Sequence, residues 1–579
     1  MMQQDVAVQG LFQNKDFLKK AYRGALIPCM LSILSGCVNI IADGVIVGQL
    51  IGTAGLTAIN LCVPVYLVLC ILGSFFVSGA AISASNEIGQ DNGDKAQQYY
   101  GSALSACVAS SLAMAAVGVF LSREIARALC QDPEVVGMVR DYTAVTLVGA
   151  LPKIMIYVPF WFLRLDGKNK TVTVMMVVMG VGNVLLDLLF MLVWDMGVYG
   201  AALANVISTA IACVLGFVRL HTGETSFQLR FALPDKGTFA RIAAMGSPAA
   251  LNNLMQTVRL LCVNSILLSG GGTERVAVFT VVNGIAAFSE AVTVGVPQAA
   301  SAILGVYFGE RDGNSARIML GLEWKNGLAC CGVFAAAISA GAGLIGSAYR
   351  LNAPIYIPLI CLAVSLFPGL LNSILISFYN VSGHPALSNQ LVFCRVFLFS
   401  VLSLMALDAA GWTVWLFLPM GELLSLGLCW IITGLISRKH EDMSRFLLID
   451  SSLEKRGRGI NFSVASDYSD ICDACEKAST FCTDSGLSLK QTTRISLSLE
   501  ELMVLVTQKN APRPVHFDIR LFSLSGTLGI RIRYDGMDLD PLSGNEMSDE
   551  YMGVAMIKKM VEMVMYRRVF GLNSLLILI

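Results

Sequence analysis

Residues 89–96 read GQDNGDKA, and residues 309–316 read GERDGNSA. Gly89, Gly93 and Ala96 are matched by Gly309, Gly313 and Ala316, each 220 positions on. The same offset carries Pro28 in ALIPCML to Pro248 in MGSPAAL, and GT at 52–53 to GT at 272–273. Farther along, RLDGKNK and NVSGHPA align through Gly167 and Gly383, 216 positions apart. One register that survives from a helix through a loop to a second loop marks an internal duplication.

The duplicated halves are apolar. The chain has 579 residues, 55% hydrophobic and 14% charged, and a mean hydropathy of +0.67. Soluble domains carry about 25% charged residues, so the composition is that of an integral membrane protein. Net charge is zero, which gives no electrostatic footprint for nucleic acid. The 16 cysteines are scattered, mostly inside apolar runs, and read as small buried hydrophobes. CDAC (472–475) has no second ligand pair and reads as helix, not zinc site. The first twenty residues are polar with late lysines and show no cleavable signal peptide.

A spanning helix needs ~20 apolar residues. About twelve such windows are expected, near 24–50, 55–83, 103–121, 143–163, 171–194, 199–219, 239–269, 276–307, 318–346, 355–379, 387–409 and 412–436. An even number of helices in each half makes the repeat parallel, two six-helix lobes related by an axis along the membrane normal, which is transporter architecture. The expected fold is an all-α polytopic membrane protein of twelve spans followed by an α/β sandwich. The expected domains are a short cytoplasmic segment (1–20), a first lobe (21–219), a linker (220–238), a second lobe (239–436), a second linker (437–458) and a soluble domain (459–579). Lys and Arg crowd the loops on one side, among them Lys15, Lys95, Lys168, Arg230, Lys236, Arg311 and Arg438. The positive-inside rule then places both termini in the cytoplasm of a plasma-membrane protein.

NIIADGVIVGQLIG, NEIGQDNGDKAQQYYGSAL, LRLDGKNK, GNVLLDLLF and GVYGAALANVIS occur in this order. Over roughly residues 20–436 the chain resembles the multidrug and toxic compound extrusion (MATE) family. The resemblance implies a two-lobe antiporter, not an enzyme, that exports an organic, often cationic, compound against inward H⁺ or Na⁺. It also implies an ion site built from a first-helix acid, a fifth-helix Asn and acid, and a sixth-helix oxygen donor. Asp43, Asn183 and Asp187 match that pattern, and Asn205 stands where Thr is more frequent. An amide oxygen can still ligate Na⁺, with a changed shape.

The repeat tests what these acids are for. Position 43 maps to Val263, and 183 and 187 map to Phe399 and Ser403. Neither acid has an acidic counterpart, so the shared scaffold does not require them. Asn183 and Asp187, at i and i+4, share a helix face. Intramembrane carboxylates are costly and mark ion or proton sites. Two close ones hold a proton or a cation between them.

Lys153, Arg259, Glu290, Arg395 and Glu422 also fall inside spans. Lys153 and Arg259 are expected to snorkel to the interface. Glu290 fits a substrate cavity or lobe packing equally. Met175, Met176 and Met179 are expected to pack in the core or against lipid. Pro28 sits in mid-helix, where it bends the chain.

Residues 459–579 read as helix, helix, strand, turn and helix-then-strand. They resemble the histidine-kinase-like ATPase fold of anti-sigma-factor serine kinases, with eroded boxes. Glu501 is kept, but Leu505 stands at the Mg²⁺-holding Asn. Tyr534, Asp535 and Gly536 replace Asp-x-Gly, and Tyr551, Met552 and Gly553 replace Gly-x-Gly. These losses argue against ATP hydrolysis and leave a regulatory or protein-binding role. Two alternatives to an exporter are a transporter-like sensor signalling through this domain, and a lipid-precursor flippase.

Overall fold

The computed structural model describes residues 15–130, 132–133, 135–222, 226–348, 355–439, 443–450, 459–524, 527–542, 559, 563–569 and 572–579. In a bilayer every backbone polar group must be satisfied within the segment, so the apolar runs form helices. The first lobe holds α1 (Lys15–Leu50), α2 (Thr53–Gly89) and α3 (Gly93–Leu129). A bent series follows: α4 (Val136–Val148), α5 (Ala150–Met155) and α6 (Tyr157–Leu165). Then come α7 (Asn169–Asp187), which runs on through a π-helical turn at Leu188–Val193, and α8 (Gly197–His221). The second lobe holds α9 (Lys236–Thr293), α10 (Gly295–Gly309), α11 (Gly313–Ala348) and α12 (Tyr356–Val381). It ends with α13 (Pro385–Val392), a π-helical turn at Phe393–Leu398, α14 (Phe399–Ala409) and α15 (Phe417–Ser437).

The duplication is written in the backbone. Gly52 has φ 82° and ψ −164°, and its counterpart Gly272 inside α9 has φ 71° and ψ −166°. Only glycine adopts such angles without strain. α9 is therefore two helices joined at the same break that separates α1 from α2. Asp91 (φ 61°) and Arg311 (φ 56°) repeat the pattern, as do Gly167 (φ 77°) and Gly383 (φ 87°).

Among the described residues, ten helices are long and apolar enough to cross a membrane, or eleven if the pair bent by 58° at residue 149 counts as one. The twelve expected spans therefore exceed what the described helices support. The expected span at 239–269 does not qualify, because this first part of α9 carries Asn252, Asn253, Gln256 and Arg259, which line a cavity.

The lobes meet where glycines remove side chains. A Cβ on Gly246 would lie 1.9 Å from the Phe75 carbonyl oxygen, and one on Gly79 2.1 Å from that of Ile242. At the loop end, a Cβ on Gly89 would lie 2.1 Å from the Val306 oxygen, and one on Gly309 2.2 Å from the Asn86 oxygen. Small residues let helix backbones approach this closely. Gly89 and Gly309, equivalent in the repeat, touch each other across the lobe boundary.

Among its described residues, the C-terminal domain is a five-stranded antiparallel sheet, ordered β1-β2-β3-β5-β4, with two helices on one face. Its elements are β1 (Gly459–Ala465), α16 (Tyr468–Asp484), α17 (Leu489–Asn510), β2 (His516–Leu524), β3 (Thr527–Tyr534), β4 (Met563–Val569) and β5 (Leu572–Leu578). Ser488 and Gln491 form a capping box that starts α17. Phe517, Ile519, Leu521, Ile530, Ile532 and Tyr534 alternate onto the helix-covered face and form the core. The helix-then-strand expected at the end is corrected in part: residues 563–569 are strand β4, because MVMYRRV alternates against β5. β1 and β2 are further strands that the expected order lacked.

Candidate functional site

Four elements bring polar groups together inside the first lobe. α7 supplies Asn183 and Asp187, both fully buried. One helical turn apart, they are joined by Asn183 Nδ2 donating to Asp187 Oδ2 at 2.9 Å. α1 brings the Asp43 carboxylate beside both. α8 supplies Ser208, whose Oγ donates to Asn183 Oδ1 at 3.3 Å. Oδ1 of Asp43 and Oδ1 of Asp187 are buried without a hydrogen-bond partner. Two carboxylates in contact need a proton or a cation between them. The π-helical turn begins directly after Asp187, and such turns collect at functional sites.

Lys153 completes the cluster, and the snorkelling expectation for it is corrected. It lies 6% exposed in the lobe. Its Nζ donates to Asn205 Oδ1 at 2.6 Å, sits 5.1 Å from the centre of the Tyr66 ring, and is within electrostatic reach of Asp43. The bend between α4 and α6 turns α5 so that Lys153 points inward rather than along a helix to the interface. Asn205, matched to the ion site by resemblance, thus spends its amide oxygen on an internal ammonium. A cavity of about 190 Å³ opens beside Lys153, Asn205 and Ser208. Met176 and Met179 line it, while Met175 is core.

Among the described residues, the equivalent positions of the second lobe hold no such cluster. Val263, at the position of Asp43, is buried in an apolar group with Leu267 and Leu404. Ser403, at the position of Asp187, donates its Oγ to its own helix at Phe399 O, 2.6 Å away.

Between the lobes lies a larger cavity, about 470 Å³. Tyr157, Phe160 and Trp161 form part of its first-lobe wall. From the second lobe come Arg259, Glu290, Arg395 and Glu422, so Glu290 faces the cavity. Arg259 faces it too and does not snorkel, because its helix forms the cavity wall. Arg395 Nε donates to Glu422 Oε1 and Oε2 at 2.9 and 2.7 Å. Pro28 O in α1 accepts from Ser32 Oγ at 2.7 Å and from Thr173 Oγ1 of α7 at 2.9 Å. The proline bend is thereby tied to the helix that carries Asn183 and Asp187.

In the C-terminal domain Glu501 lies on α17, and Leu505 is fully buried in the core. The Tyr534 ring is buried as well, its hydroxyl donating to Leu539 O. Asp535 Oδ1 accepts from His516 N at 2.8 Å, and its other oxygen pairs with Lys20 of α1. Gly536 has φ 116°, and a Cβ there would meet Asn510 Oδ1 at 2.2 Å. Tyr551, Met552 and Gly553 lie outside the described residues.

One feature was misread in the sequence and two escaped it. Lys153 was visible as a lone cation in ALPKIM, and Ser208 as a hydroxyl three residues after Asn205. The arginines of β2 and β3 alternate with core residues in HFDIRLF and GIRIRY, a pattern that puts charge on the sheet's second face.

Residues 28–189 match the MatE family model. The chain is 26% identical over 286 residues to the multidrug export protein MepA of Staphylococcus haemolyticus, spanning 49% of this chain and 62% of that protein's length. It is 23% identical over 351 residues to MepA of Staphylococcus aureus strain NCTC 8325, spanning 60% of this chain and 77% of that protein. Two solved structures cover 73% of this chain and 96% of theirs at 21% identity. They are a MATE in complex with MaL6, at a TM-score of 0.67, and an outward-facing MATE family multidrug resistance transporter, at 0.65. The membrane region has the MATE fold.

Proposed function

We propose that this chain works as a MATE family exporter, moving small organic molecules out across the plasma membrane against inward H⁺, with its termini in the cytoplasm. The observation that carries this reading is the Asp43–Asn183–Asp187 cluster, buried in one lobe only and left with unpartnered carboxylate oxygens. A proton arriving there removes a buried charge, which biases the lobe between its two arrangements. Lys153 supports H⁺ over Na⁺. Its ammonium already lies within electrostatic reach of Asp43 and takes the Asn205 oxygen that a Na⁺ would need. The cavity between the lobes is of a size that holds a drug-sized molecule. The C-terminal domain serves as a regulator rather than a nucleotide enzyme, supported by Leu505 buried in the core and by Tyr534 at the place of the adenine acid, its ring buried and its hydroxyl bonded to Leu539 O.

The test is dye efflux from vesicles holding the full chain. An imposed pH gradient is expected to drive it and an imposed Na⁺ gradient is not. Efflux driven by Na⁺ alone overturns the coupling assignment, and efflux under neither gradient overturns the exporter.

A further inference from the structure

One set of contacts joins the C-terminal domain to both lobes. The sheet face away from α16 and α17 carries Asn461, Arg520, Arg531 and Arg533. The turn between α10 and α11 lies against it. Arg520 donates to Glu310 O and Arg311 O at 2.9 and 3.1 Å. Asn461 Nδ2 donates to both carboxylate oxygens of Asp312 at 2.9 and 2.8 Å. Arg531 reaches both lobes at once: Nη1 bonds Glu310 of the second lobe at 2.6 Å, and Nη2 pairs with Asp91 of the first. These turns are the repeat-equivalent pair that flanks the Gly89–Gly309 contact.

Alternating access requires the lobes to part at this end. We infer that the arginine face of the sheet is a latch that holds the lobes together at their loop end, and that its release sets the export rate. This rests on the export reading. Arg531→Gln in the full chain is expected to raise the initial efflux rate several-fold. It is also expected to speed hydrogen exchange in both turns, around 89–93 and 309–313, while β1 to β3 keep their protection. An efflux rate unchanged or lowered, or exchange altered in one turn only, overturns the latch. Hydrogen exchange reads the latch even if no efflux is found.

Discussion

Asp43 and Asp187 form one site, so their losses should not add. Asp43→Asn and Asp187→Asn are each expected to reduce proton-driven efflux to background while the protein stays folded. The double variant should be no worse than either. Efflux and folding measured on the same vesicle preparations check this, and losses that multiply would mean two independent sites. Lys153 gives a sharper expectation. Lys153→Gln removes the internal cation and frees Asn205 Oδ1, leaving two carboxylates and an amide open to a hard cation. Na⁺ should then raise the Tm of the purified variant and leave that of the wild type unchanged.

At the scale of elements, the α2–α10 crossing depends on two glycines. Gly89→Ala sets a methyl group 2.1 Å from the Val306 oxygen. Backbone must move to admit it, and overpacking of this kind costs roughly 1–3 kcal/mol. A lowered Tm is expected, whereas Gly321→Ala, with open space around its Cβ position, should melt like the wild type. Sheet strands β2 and β3 carry a pH dependence. Burial pushes the Asp518 carboxyl up to about 6, with Asp312 and Glu310 adding to the rise against the pull of Arg533. A carboxyl that holds its proton more tightly when folded contributes stability below its unfolded pKa, and that contribution is lost as pH rises through the folded value. Asp518→Asn should therefore raise the melting temperature of the C-terminal domain more at about pH 7.5 than at about pH 5, where the folded carboxyl still holds most of its proton. Differential scanning of the full chain at the two pH values reads this.

For the whole molecule, the C-terminal domain is bound to the lobes through the sheet face and through Lys20 of α1, which pairs with Asp535. Tyr534, at the position of the acid that should grip adenine, spends its hydroxyl on Leu539 O inside the domain. Calorimetry of the full chain with ATP and Mg²⁺ is expected to show no micromolar binding. Micromolar binding would mean that other groups replace those lost at Leu505 and Tyr534.

What the sequence by itself determined is what repeats or alternates. Apolar runs dictated membrane helices because lipid leaves the backbone no other partner. The offset of 220 placed equivalent breaks at Gly52 and Gly272, since only glycine takes that backbone cheaply. Asn183 and Asp187 were legible as a pair because four residues make one helical turn. The count of spans was less legible, because the first part of α9 trades apolarity for cavity lining. Tertiary structure alone decided which charges meet. Lys153 turns inward only because α4 to α6 bend, and Arg259 faces a cavity only because two lobes enclose one. Arg531 joins both lobes only because the sheet lies across their turns. Such contacts lie far apart in sequence and leave no local period to read.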